Sequence, residues 1–397
     1  MNRLWDKGAP LDEKVLRYTA GEDYALDERL VRHDVRASIA HAQMLESRQL
    51  ISSEDFKAIR DGLTQLGESH ARGEWRIELA DEDGQTALEK RLTQLIGPAG
   101  GRVHLGRSRN DQVLTALRLY LREAIAELAS GAERAALALD GMIERQGTIA
   151  LPGYTHMQQA MPSSVALWAG GFAAELRDDA QGLRGVARRA GRNPLGSAAG
   201  YGTPNLPLDR GATTQLLDFD STQEPVSAVQ LSRGKAEAQL LFEVTLLMQD
   251  LGRLAADLLL YYTQEFAFVE LPDAYTTGSS IMPQKRNPDV FELVRGRTAS
   301  AHGCLIEALG IFAKLPSGYQ RDLQLLKFPL FRGIDLALQT LDIMTAALAA
   351  VRFRSSGIRI DPAVNSAAEA YAMVLSEGIP FREAYQRVGA RFRKQPK

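Results

Sequence analysis

From Asp111 to Gln146 the chain runs without a single proline, and apolar side chains recur at Val113, Leu117, Leu121, Ile125 and Leu128. Steps of three and four residues mark one face of an α-helix. At 1.5 Å per residue such a helix is about 50 Å long, longer than a compact monomeric domain ordinarily holds. A second long segment follows Pro162, with Ser163 or Ser164 placed to cap it. A third runs from about Val226 to Thr263, between Pro225 and Pro272. Helices of this length with apolar residues on more than one face predict a bundle whose subunits pack against one another.

Shorter periodic segments flank the long ones. Leu30, Val31, Val35, Ile39, Ala42 and Leu45 have helical spacing, and the "SSED" that follows offers Ser52 and Asp55 as a capping box. Thr86 and Glu89 offer another box before Leu88, Leu92 and Leu95. After Val351 the extended "IRI" precedes two short helices, started by Asp361–Pro362 and by Pro380. The expected fold class is all-α: a helical domain over 1–103, a central long-helix bundle over 104–351, and a short C-terminal helical domain over 352–397.

Composition narrows the function classes. A net charge of −2 with no basic stripe interleaved with aromatics argues against nucleic acid. The opening "MNRLWDKGAP" lacks the apolar core of a signal peptide. The apolar run from Leu254 to Tyr262 contains Asp257 and is too short to span a bilayer. Cys304 stands alone among small and apolar neighbours, as a buried thiol would. These features lead us to expect a cytoplasmic protein with no membrane partner. The six histidines form no HxxxH pair and have no cysteine companions, and neither a Walker loop nor a GxGxxG fingerprint occurs. No metal and no cofactor are expected. "GSAAGYG" (196–202) reads as a loop whose small residues let backbone approach a ligand.

Three polar clusters remain. In "TTGSSIMPQKRNPDVFELVRG" (276–296), small side chains around Gly278 read as a mobile loop, and Asn287 and Pro288 read as the cap and first residue of a helix. Lys285 and Asn287 would then lie where helix N–H groups attract a carboxylate or phosphate. "VHLGRSRNDQV" (103–113) sets Ser108, Arg109 and Asn110 before the first long helix, with Asn110 or Asp111 as its cap. "LPGYTHMQQAMPSS" (151–164), fenced by Pro152, Gly153 and Pro162, reads as an irregular segment carrying Thr155, His156 and Gln158. Taken singly, each has a bland reading as a surface cap or a structural histidine.

Together the clusters resemble a known family. "GSSIMPQKRNP" closely resembles the signature of the fumarase/aspartase superfamily, lyases that eliminate across a succinyl unit to give fumarate. "RSRNDQV", "GYTHMQ" and "GYQRDLQLLKFPLF" (318–331) are similar to the remaining segments in the argininosuccinate lyase family. The likeness extends from about Asp23 to Gly389. It implies cleavage of argininosuccinate to arginine and fumarate, late in arginine synthesis, by a homotetramer whose active sites are shared between subunits. It also implies the roles. Ser279 is the base, and His156, polarised by Glu292, is the acid. Lys285 and Asn287 hold the aci-carboxylate intermediate. Ser108, Arg109, Asn110 and Thr155 hold the succinyl carboxylates, Gln158 is a further substrate-binding residue, and Tyr319, Gln324 and Lys327 hold the arginine part, Lys327 being suited to its α-carboxylate.

Some positions depart from the family pattern. Asp23 replaces a substrate-contacting serine, and could pair with the substrate's guanidinium. Gly84–Gln85 replace an apolar–His pair, and the C-terminal segment looks truncated beside relatives. A sister lyase acting on adenylosuccinate, and a non-catalytic crystallin-like homologue, are the competing readings. The full set Ser279, Lys285, Asn287, His156 and Glu292 speaks against the second.

Overall fold

The computed structural model describes residues 12–392, so the "MNRLWDKGAP" segment lies outside the described residues. Helices of ten residues or more are labelled α1 (Val31–Ser47), α2 (Ser53–Ala71), α3 (Gly84–Ile96), α4 (Arg109–Gln146), α5 (Val165–Gly185), α6 (Lys235–Tyr262), α7 (Asp289–Phe312), α8 (Lys327–Ala350), α9 (Ser366–Glu377) and α10 (Phe381–Ala390). Strand structure among the described residues is confined to three two-stranded ladders. The longest of them pairs β1 (Ala150–Thr155) with β2 (Gln158–Ser164). The fold class is all-α.

Local chemistry sets the helix boundaries. Ser52 and Asp55 form the expected reciprocal capping box of α2. The start of α3 differs from expectation: Asp83, not Thr86, is its cap, and accepts the Thr86 N–H at 2.8 Å. α4 also begins earlier, at Arg109, two or three residues before a cap at Asn110 or Asp111 would place it. Ser108 accepts the Asn110 N–H at 3.3 Å, and Asp111 reaches back to the Ser108 N–H at 2.9 Å. Ser164 supports the start of α5 through the Leu167 N–H at 3.1 Å. The third long segment is broken. A short helix, Ser227–Leu231, ends before α6, because Gly234 takes φ +85 with the Phe312 ring 2.3 Å from where a Cβ would stand. Only glycine meets both demands easily.

The chain divides into two compact units, and each takes a portion of five long helices. The first comprises residues up to Ala129 with Gln181–Thr245 and Ser300–Leu336. Its core is the apolar face of α1, α2 and α3, where Leu45, Ile59, Leu63, Leu88 and Leu92 are buried. Each such side chain contributes about 1.5–3 kcal/mol of burial. A second cluster joins Ala37 and Ala40 of α1 to Leu119, Leu195, Leu217 and Phe219. Cys304 is buried here, and burial raises its thiol pKa.

The second unit comprises Ser130–Ala180, Leu246–Ala299 and residues from Ala337 onward. Gln146 clamps its chain reversal, donating to the Val351 carbonyl at 3.2 Å and accepting the Phe353 N–H at 2.7 Å. Trp168 packs edge-on against Phe172 and Phe353 and donates to Asp257 at 2.9 Å, which gives the lone acid of that apolar run a partner. The "IRI" segment is extended without a ladder and is held by Gln159, which bonds Arg359 O and Asp361 N at 2.8 Å each. By length and composition, one helical stretch among the described residues (Arg321–Ala350) is apolar enough to cross a membrane. Its fully buried Phe331, Ile334, Met344 and Leu348 are those of a core helix.

Replacing Gly234 by alanine is expected to lower stability by about 2–4 kcal/mol, through left-handed backbone strain and the Phe312 clash. Urea unfolding of the two proteins measures it. A difference below 0.5 kcal/mol, about the scatter of a neutral surface change, would contradict this account of the break.

Candidate functional site

The residues singled out in the sequence fall into both units, and each group stands on its own geometry. In the first unit, Asp23, Arg109, Asn110, Tyr319, Gln324 and Lys327 line one cavity of ≈110 Å³. Lys327 begins α8 and is 2% exposed. Its ammonium lies 2.7 Å from Asp23 and 2.5 Å from Asp27. Asp27 was not foreseen. It sits four residues after Asp23, one helical turn on, and also accepts the Gly84 N–H at 3.0 Å. This explains Gly84, where a Cβ would stand 3.3 Å from that of Asp27. The neighbouring Gln85 donates to buried Asp34 at 2.6 Å.

One ammonium thus faces two carboxylates. Asp27 has the additional backbone donor, the Gly84 N–H. Burial first, then the neighbouring Asp27, pushes the Asp23 carboxyl up to about 7, with Lys327 opposing. The paired aspartates in turn raise the Lys327 pKa against its burial. Asp34 is raised well above the usual carboxylate range, again by burial and by Asp27. Gln324 is anchored to the Thr19 carbonyl at 3.0 Å, and Arg109 is paired with Asp83 at 2.6 Å.

The glycine-rich segment is a loop fastened to the chain's own Asp111. Asp111, fully buried, accepts the N–H groups of Gly196 and Ala198 at 2.9 Å each. Gly196, Ala198, Gly200 and Gly202 all have positive φ. Its first N–H groups are thus spent on a carboxylate of the chain itself, fastening the loop to the start of α4. Burial pushes the Asp111 carboxyl up to about 6, against the bonds it accepts.

In the second unit the "GYTHMQ" segment is the tip of a hairpin, with one irregularity where the register shifts between Gly153 (opposite Met161) and Tyr154 (opposite Gln159). Thr155 ends β1 opposite Gln158, which begins β2. His156 and Met157 form the two-residue turn with φ 52 and 60. Two successive left-handed residues match a type I′ turn, which the twist of the strands favours. The pattern that usually signals it is Asn-Gly, so His-Met hid the turn. A non-glycine residue held there costs about 1–3 kcal/mol, and it presents the His156 ring at an exposed tip.

The loop carrying Ser279 is pinned at its neck. Thr277 and Asn287 exchange backbone hydrogen bonds of 3.0 and 2.8 Å. Asn287 is therefore a bridge residue and not a helix cap, and its amide donates to Gly278 O at 3.2 Å. Thr277 also donates to Asp289 at the start of α7. Within the loop, Ser279 Oγ accepts N–H groups from Met282 at 3.2 Å and Ile281 at 3.4 Å. Neither of these donors was foreseen, since backbone amides carry no sequence signal. Lys285 is exposed on the same loop, and Glu292 is exposed one turn into α7. No ion pair joins His156 and Glu292 within the chain.

Comparison with known proteins follows this geometry. A family model described as "Lyase" matches residues 13–303. The argininosuccinate lyase of Sorangium cellulosum (strain So ce56) is 45% identical over 396 residues, spanning 99% of this chain and 91% of that protein. That of Stenotrophomonas maltophilia (strain R551-3) is 41% identical, spanning 98% and 90%. Among solved structures, EDDS lyase in complex with formate has a TM-score of 0.81 at 24% identity, covering 96% of this chain and 76% of that one. The class II fumarase of Schistosoma mansoni has a TM-score of 0.79 at 17% identity, covering 97% and 91%. These two structures establish the fold.

The carboxyl of Asp23 gives a pH prediction. The folded state keeps its proton up to about pH 7, whereas an unfolded chain releases it near the ordinary aspartate value of 3.8. This contribution to stability is present at low pH and is lost as pH rises through 7. Thermal melts of Asp23→Asn against wild type from pH 5 to 8 should therefore move in the variant's favour as pH rises. A difference that stays constant across that range would refute the assignment.

Proposed function

Because this chain belongs to the argininosuccinate lyase family of the fumarase/aspartase superfamily, we propose that it cleaves argininosuccinate to arginine and fumarate, late in arginine synthesis. One observation of geometry carries the reading: Ser279 Oγ faces two backbone N–H groups on a loop closed at its neck. A serine hydroxyl is a poor base at neutral pH. Preorganised N–H donors stabilise an alkoxide as they would an oxyanion, and the exposed Lys285 on the same loop adds a positive charge.

The Ser279 alkoxide takes the proton from the carbon beside a succinyl carboxylate. The electron pair moves into that carboxylate, giving an aci-carboxylate dianion held by Lys285 and Asn287. The pair then returns to form the fumarate double bond as the C–N bond breaks. His156, polarised by Glu292, delivers a proton to the departing guanidino nitrogen. Ser108, Arg109, Asn110, Thr155 and Gln158 orient the succinyl carboxylates. Tyr319, Gln324 and the Asp23–Lys327 pair receive the arginine part.

The active assembly is a homotetramer with sites shared between subunits, in the cytoplasm. Support comes from His156 and Glu292, exposed and unpaired with each other within one chain. It comes also from large apolar side chains left exposed on the long helices: Leu137 (62%), Leu167 (68%), Leu293 (62%) and Ile306 (70%). Patches of this kind mark interaction surfaces.

The direct test is fumarate release by the purified protein, offered argininosuccinate and adenylosuccinate in parallel. Release from argininosuccinate alone is expected, and Ser279→Ala should lower kcat by roughly a thousandfold or more. Release from adenylosuccinate instead would sink the substrate assignment. His156→Asn should cost roughly 10²–10⁴ in kcat. Mixing subunits of the two inactive variants should recover activity, since hybrid tetramers contain some intact sites. No recovery in verified hybrids would count against shared sites.

A further inference from the structure

We infer that Arg233 receives the α-carboxylate of the amino-acid half of the substrate, an assignment that rests on the proposed function and refines its pocket. Four cationic side chains line the first unit's cavity: Arg109, Arg233, Arg321 and Lys327. Three already have partners. Arg109 pairs with Asp83 at 2.6 Å. Lys327 is shared by Asp23 and Asp27 at 2.7 and 2.5 Å. Arg321 donates to the Thr19 carbonyl at 2.8 Å and lies 3.7 Å from the Glu82 carboxylate.

Arg233 is the exception. It is 4% exposed, and among the described residues nothing accepts a hydrogen bond from its Nε or Nη1. Glu237, in the first turn of α6, is also buried and has its own unpartnered oxygen, yet it does not come within ion-pair distance. A second buried guanidinium, Arg118, lies near enough for the two charges to oppose each other. A buried guanidinium with unused donors is unfavourable until an acceptor arrives. Its planar fork matches a carboxylate through two parallel hydrogen bonds.

Position decides which carboxylate. The Arg233 guanidinium carbon stands 5.7 Å from the centroid of the Tyr319 ring, on the side of the cavity formed by the residues that receive the arginine part. Lys327, with two carboxylates already on its ammonium, has no charge to spare for a third. Asp23 faces the same space and matches an α-ammonium. The cavity then offers a guanidinium to the carboxylate and a carboxyl oxygen to the ammonium of an amino-acid head group.

Inhibition of fumarate release by three probes tests this: L-arginine, agmatine (arginine without its α-carboxylate) and fumarate. Arg233→Met should raise the KM for argininosuccinate and the inhibition constant of L-arginine by roughly 30-fold, while the constants for agmatine and fumarate stay within about twofold. Arg233→Lys keeps the charge but not the fork, and should raise the L-arginine constant by roughly fivefold. If the Met variant loses cooperative thermal unfolding, the Lys variant carries the test. Unchanged L-arginine inhibition in the folded variants would overturn the assignment. So would equal weakening of agmatine, or selective weakening of fumarate. Wild-type enzyme that releases no fumarate from argininosuccinate would instead overturn the underlying function.

Discussion

Lys327 and Asp27 are 300 residues apart in sequence and 2.5 Å apart in space, and much of the first unit depends on that meeting. A buried ammonium is tolerable only with its charge answered. Here two carboxylates from a single helical turn, Asp23 and Asp27, answer it. Asp27 then draws in the N–H of Gly84, which fixes where α3 begins. The α3 cap, Asp83, holds Arg109 at the start of α4. A chain of charge and hydrogen bonds thus runs from the first turn of α8 through the N-terminal segment to the head of α4. It leaves a polar cavity lined by the same residues.

Asp111 plays a similar part with backbone donors. One of its oxygens serves the Ser108 N–H and the other the N–H groups of Gly196 and Ala198. A single buried carboxylate therefore sets both the start of the longest helix and the path of a loop in which Gly196, Ala198, Gly200 and Gly202 have left-handed backbones. Such sites are sensitive by construction. Loss of the carboxylate would orphan several amides at once, each costing about 1–3 kcal/mol.

Much of this was legible in the sequence. The proline-free run with three- and four-residue apolar steps specified α4, and "SSED" specified the start of α2, because helical periodicity and capping are local properties. Features decided by distant partners were hidden. Gly234 breaks the third long segment because Phe312 needs the space, and no neighbouring residue announces that. His156 and Met157 gave no sign of a type I′ turn, since the fit of two strands imposes the conformation. Asn287 looked like a cap and became a bridge residue once Thr277 lay opposite. The candidate site divides the same way. Ser279, Lys285 and His156 stand out by residue type within unusual segments. The amides of Ile281 and Met282, the second aspartate on Lys327 and the unpaired Arg233 emerge only from the folded chain.

The hairpin tip has a consequence for anyone who would improve this protein by selecting for heat resistance. His156 and Met157 occupy positions where Asn-Gly would relieve the backbone, so a screen that rewards stability alone would favour replacing them. The ring proposed as the proton donor would be among the first groups lost. Thermostabilisation and turnover pull in opposite directions at this turn, and a library built for one should hold position 156 fixed.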